Sequence, residues 1–194
     1  MKILFSIFFL SIQFESFCQT TENQIYSLVL NSYKPYNKIK MIADSSMDKD
    51  YAIVGLQIKR DGYEEKLNTF LKNYQEWKAI IKDLPKTFPE GKIVINRNLK
   101  LRGKFIFYTQ NDFVSIKGKT GKGPESWWES FYEIYPKSQG IYNLSKIYFP
   151  EKNKVVVMVW KKSDYDEGSE DLQLLEFKNN KWKLIYTHRM LDGF

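Results

Sequence analysis

KVVVMVWKKSDYDEGSEDLQLLEFKNNKWKLIYTH, residues Lys154 to His188, contains three strand-length runs and the links between them. Lys154 to Lys162, Leu172 to Lys178 and Trp182 to His188 are rich in β-branched and large apolar side chains, which suit a pleated, packed surface. Asn179-Asn180-Lys181 is a turn of hairpin length. Just upstream, Ile141 to Phe149 (IYNLSKIYF) reads as a fourth strand, joined to the next by Pro150-Glu151-Lys152-Asn153. With a longer acidic loop between the second and third of these runs in chain order, the links are short enough to favour antiparallel neighbours. The C-terminal third is therefore expected to form a β-meander.

The rest of the chain alternates helical and extended patterns. Residues 22 to 33 place Ile25, Leu28, Val29 and Ser32 on one face and stop at Lys34-Pro35, where proline disfavours helical geometry in its predecessor. Tyr51 to Ile58 (YAIVGLQI) reads as a strand. Glu64 to Leu84 is the strongest helix, with Leu67, Phe70, Leu71, Tyr74, Trp77 and Ile81 at three- and four-residue steps and Pro85 as its stop. Ile93 to Ile95, Leu99 to Leu101 and Lys104 to Gln110 read as short strands, and Gly118 to Pro124 as a basic loop. A further helix begins at Glu125 or Ser126 and ends at Tyr135-Pro136. The expected fold is α+β, with helices packed on a mainly antiparallel sheet ending in the C-terminal β-meander.

The chain begins with an address label. Met1 and Lys2 precede an apolar run, Ile3 to Ile12, and Ser16-Phe17-Cys18 offers small residues at the cleavage positions. This is the layout of a secretory signal peptide, too short for a membrane anchor. The expected organisation is a signal peptide at 1–18 and a single globular domain at 19–194, exported to the periplasm or secreted, with no stable membrane span in the mature chain. Cys18 also permits lipidation, but Phe17 and Glu15 occupy positions where a lipoprotein signal has small and aliphatic residues, so this is the lesser reading. Cys18 is the sole cysteine. The mature domain can form no internal disulfide and has no thiol nucleophile, and its fold must rest on packing. The net charge of +7 permits an anionic partner without requiring one.

From Trp128 onward, WESFYEIYPKSQGIYNLSKIYF, a Val-rich strand and LQLLEFKNNKWKLI resemble a family of small exported Bacteroidetes proteins without an assigned activity. The matching positions are Trp128, Phe131, Tyr132, Tyr135, Pro136, Ser138, Gly140 and Ile141, then Leu174, Leu175, Asn179 and Trp182. The resemblance covers roughly residues 125–187 and implies no catalytic residues. The chain departs from it at Ser163 to Gly168, where many relatives have a Gly-rich stretch. The closing hairpin is also similar, more weakly, to that of NTF2-like domains, which hold small ligands or merely assemble.

No constellation for chemistry stands out. His188 is the only histidine, expected half-exposed at a strand end, and no G-x-S-x-G elbow precedes a helix. Asp164, Asp166, Glu167, Glu170 and Asp171 raise the question of calcium, but Ser169 stands where an EF-hand needs glycine, so a solvated loop is expected. Gly118-Lys119-Thr120 mimics the end of a phosphate loop, yet Phe113 replaces the required glycine. Lys92, Arg97, Lys100, Arg102 and Lys104, with Phe105, Phe107 and Tyr108, could serve nucleic acid, but one solvated and one buried face gives the same pattern. Trp128, Phe131, Tyr132 and Tyr135 share a helix face and are expected in the core, with Trp127 to the side. No catalytic, cofactor or metal residues are assigned and no cofactor or nucleic acid is expected. The expectation is a non-catalytic binding or scaffold module of the cell envelope, its partner an envelope protein or a small ligand. The alternative is an NTF2-like pocket, or an enzyme using a buried carboxylate and tyrosines.

Overall fold

The computed structural model describes residues 21–34, 37–46, 63–95, 97–120, 124–164 and 167–192. The signal-like segment 1–18 and the expected strand at Tyr51 to Ile58 lie outside the described residues. In chain order the elements are α1 (21–32), β1 (Ile39–Ala43), α2 (Tyr63–Asn73), α3 (Glu76–Thr87), β2 (Lys104–Tyr108), α4 (Gln110–Thr120) and α5 (Pro124–Ile134). Five strands follow: β3 (Ser138–Leu144), β4 (Tyr148–Glu151), β5 (Lys154–Lys162), β6 (Gly168–Lys178) and β7 (Lys181–Asp192). They complete a seven-stranded sheet of order β2-β1-β3-β5-β6-β7, with β4 paired to the start of β5.

The meander is present and antiparallel throughout β5, β6 and β7. Asn179 and Asn180 have φ of 54° and 59°, the double left-handed geometry of a two-residue hairpin turn whose twist matches the strands. The other half of the sheet is different: β1 lies between β2 and β3 and is parallel to both. The β1–β3 register slips at Gln139-Gly140, where three residues of β3 span two of β1. Gly140 has φ +97°, and a Cβ there would lie 2.2 Å from the Lys162 carbonyl oxygen, so only glycine fits this bulge.

Strand alternation gives the sheet two buried faces. On the first, Ile25, Tyr26, Val29 and Leu30 of α1 cover Val155, Val157, Val159, Leu175 and Leu144. On the second, Phe70, Trp77 and Leu84 of α2 and α3 pack on Val156, Met158, Leu172 and Leu174. The second face continues across the sheet to Met41 and Ile141, beneath Trp127, Trp128 and Phe131 of α5.

Several local expectations need correction. The helix expected at Glu64 to Leu84 is two helices broken at Tyr74-Gln75, and Pro85 lies inside the second rather than ending it. A proline in the last turn loses one intrahelical bond, and Phe88 N–H still closes that turn on the Leu84 carbonyl at 2.9 Å. The strand expected to reach Gln110 stops at Tyr108, and α4 runs through Gly118 to Thr120, where a loop was expected. Of the patches at Ile93 to Ile95 and Leu99 to Leu101, only Val94 makes a bridge, to Ser45. Ile141 to Phe149 divides into β3 and β4 after Leu144: the Ser145 N–H still bonds the Met158 carbonyl at 2.9 Å, but its hydroxyl, in place of its carbonyl, accepts from Met158 N–H at 2.8 Å. In α1 the buried positions are Ile25, Tyr26, Ser27, Val29 and Leu30, whereas Ser32 is exposed and its hydroxyl donates to the Val29 carbonyl.

Candidate functional site

The α1-facing side of the sheet changes character along its strands. Val155, Val157 and Val159 continue into Lys161, and Leu175 into Gln173, Asp171 and Ser169. Thr187 and Arg189 of β7 stand opposite Gln173 and Asp171. Tyr33 follows the last turn of α1 and meets the Tyr142 ring edge-on at 5.3 Å. One end of this face is thus an apolar core, and the other is polar and aromatic.

A continuous set of hydrogen bonds holds the polar end. The Thr187 hydroxyl donates to Gln173 Oε1 at 2.9 Å, and Gln173 Nε2 donates to the Tyr33 oxygen at 3.0 Å. Tyr33 donates to Asp171 Oδ2 at 2.8 Å, and Arg189 Nε donates to Asp171 Oδ1. Asp171 is 1% exposed and Gln173 fully buried, so neither can be left unpaired without large cost. Burial, reinforced by the Asp171 charge, pushes the Tyr33 phenol well above its ordinary pKa and keeps it a neutral donor. Tyr142 is raised for the same two reasons and donates to Gln139 Oε1 at 2.8 Å.

Above this network lies an open cleft of about 400 Å³ lined by Tyr33, Tyr142, Lys161, Ser163, Ser169 and Arg189. A second cleft of about 470 Å³ adjoins it, reaching Lys38, Tyr132 and Gln139, and the two share Lys34, Lys161, Ser163 and Glu167. Such volumes fall in the range of small-molecule sites. Tyr132 donates to the Ser163 carbonyl, fixing the cleft wall to α5, and burial pushes its pKa up to about 12. A larger hollow of about 640 Å³ runs along α2 and α3, but surface side chains such as Glu64, Glu65, Lys72 and Lys78 line it, and no buried polar group converges there.

Most residues singled out in the sequence lie elsewhere. His188 is buried on the opposite face, across from Leu172, rather than half-exposed at a strand end. Glu170 and Asp171, expected in a solvated loop, are buried within β6, because β5–β6 pairing extends to Lys162 and Gly168. Asp164 and Glu167 remain exposed in the link, and Asp166 lies outside the described residues. Among the described residues no group of His, Cys, Asp and Glu is arranged to hold a metal ion. Lys92, Arg97, Lys100, Arg102 and Lys104 are exposed, whereas Phe105 and Phe107 turn into the α1-side core. Trp128 and Phe131 are buried as expected; Trp127, expected to the side, is also buried, stacked on Phe131 at 5.4 Å.

Sequence reading missed Tyr33, Asp171, Gln173, Lys161 and Arg189 as one cluster. The available signal was alternation: Asp171, Gln173 and Leu175 share a strand parity, as do Val157, Val159 and Lys161. No helix among the described residues is long and apolar enough to cross a membrane. Comparison with protein-family models, curated proteins and solved structures returns no match.

Proposed function

We propose that this chain is an exported, non-catalytic binding module of the cell envelope that takes a small polar ligand into the cleft beyond α1. The observation that carries this reading is the Thr187–Gln173–Tyr33–Asp171–Arg189 network, anchored on the buried Gln173 and Asp171, beneath an open cleft walled in part by Tyr33 and Lys161. Rigid, fully bonded support under an open surface is what a preorganised binding site requires. The buried carboxylate and tyrosines equally match an enzyme pocket. Asp171, however, is committed to Arg189 and Tyr33, and His188 lies on the far face, so neither is placed to exchange a proton with a ligand in the cleft. Export is proposed from the sequence of residues 1–18.

Amide spectra of the mature domain, recorded against a panel of small polar metabolites, test the binding reading. A ligand should shift Gly168, Ser169 and Arg189 while leaving the α2–α3 surface unchanged. Shifts confined to that surface, or no shift with any compound, would overturn it. Intact mass by cell fraction tests export: a soluble species should begin at Gln19. A membrane-bound species with acylated Cys18 would replace secretion by lipid anchoring, and an uncleaved soluble chain would refute export.

A further inference from the structure

Lys161 stands where the two adjoining clefts meet. It is half-buried, with its ammonium 5.9 Å from the centre of the Tyr142 ring. Among the described residues no carboxylate forms an ion pair with it, unlike Lys154, which pairs with Glu151 at 2.7 Å. Asp171, the deepest nearby anion, is already engaged by Arg189. Lys34 and Lys38 add two exposed cations to the walls, against Asp164 and Glu167 on the outer link. Burial lowers the Lys161 ammonium's pKa, and the nearby cations Arg189 and Lys38 add to this more strongly than Asp171 and Glu167 oppose it. A half-buried cation crowded by other cations is costly when alone and favourable once an anion arrives.

We propose that the cleft recognises a small oxyanion, the carboxylate or phosphate group of a small molecule, with Lys161 as its central contact and Lys34 and Lys38 as outer contacts. This rests on the binding reading above and adds the chemical class of ligand. The half-buried Tyr33 ring would flank the ligand's carbon body, while Lys161 takes its charged end. Ser163 and Ser169 supply hydroxyls on the same wall.

Calorimetric titration at low salt tests this with citrate and inorganic phosphate as anionic probes and glucose as a neutral one. Citrate or phosphate should bind the wild-type domain saturably. Lys161→Met, which keeps the apolar stem, should weaken binding at least about tenfold, and Lys161→Arg should retain more of it. The exposed double variant K34A/K38A should weaken binding by a smaller factor, and it serves if Lys161→Met fails to fold. Anion binding unchanged in both K161M and K34A/K38A would overturn the proposal, as would failure of both anions to bind. Glucose binding in the cleft without anion binding would overturn the anion assignment while leaving the binding reading standing. Failure of all three probes, with no amide shift from the wider panel, would remove both.

Discussion

His188 packs in β7 beside Tyr186, the two rings stacked at 6.0 Å, and burial lowers its pKa below the ordinary 6.5. Lys66 pushes in the same direction, whereas Asp171 opposes it. In the unfolded chain this imidazole takes up a proton as pH falls through about 6.5, but the folded chain defers uptake to lower pH. The unfolded state therefore binds more protons in that window. Stability from this residue is unchanged above it and is lost as pH falls from the unfolded toward the folded pKa. Urea midpoints at about pH 7.5 and about pH 5.5 should show a smaller acid loss in His188→Gln than in the wild type. Equal losses would mean that the imidazole is not the group responsible. Asp171 shows why such residues resist sequence reading: its acidic neighbours make it look solvated, and only its distant partners, Tyr33 and Arg189, explain its burial.

At the scale of elements, the local signals were strongest where the geometry is local. The Asn179-Asn180 turn needs two residues with positive φ, and asparagine tolerates this better than most residues other than glycine. Asn180→Ala should cost about 1–2 kcal/mol, and Asn180→Gly should be neutral or stabilising, as read from chemical denaturation. An alanine variant as stable as the wild type would refute the strained-turn assignment. α4 was legible in principle. The Thr109 hydroxyl and Asp112 carboxylate cap each other's backbone N–H groups at 3.2 and 2.8 Å, a reciprocal N-terminal cap hidden behind the aromatic run of β2. The break between α2 and α3 was less legible, because the apolar periodicity runs through Tyr74 without interruption. Periodicity reports which face is buried, not whether the backbone is continuous along it.

At the scale of the molecule, the meander was readable because short links favour antiparallel neighbours, whereas nothing local places β1 between β2 and β3. The cleft stayed hidden for the same reason: its walls come from the segment after α1 and from β3, β5, β6 and β7, and no single segment carries the pattern. That sheet order also has a temporal consequence. Contacts within β5–β7 close over short loops, whereas β1 must find β3 across nearly a hundred residues and enter between two strands. The meander should form first and β1 should join late. In stopped-flow experiments Val157→Ala should slow folding, whereas Ile42→Ala should mainly speed unfolding; the reverse pattern would place β1 in the nucleus. A late-joining strand is also the first to leave. Partial opening would release Ile39–Ala43 and the adjoining Lys38 wall while the meander persists, so mild destabilisation should abolish ligand capture well before the chain as a whole unfolds.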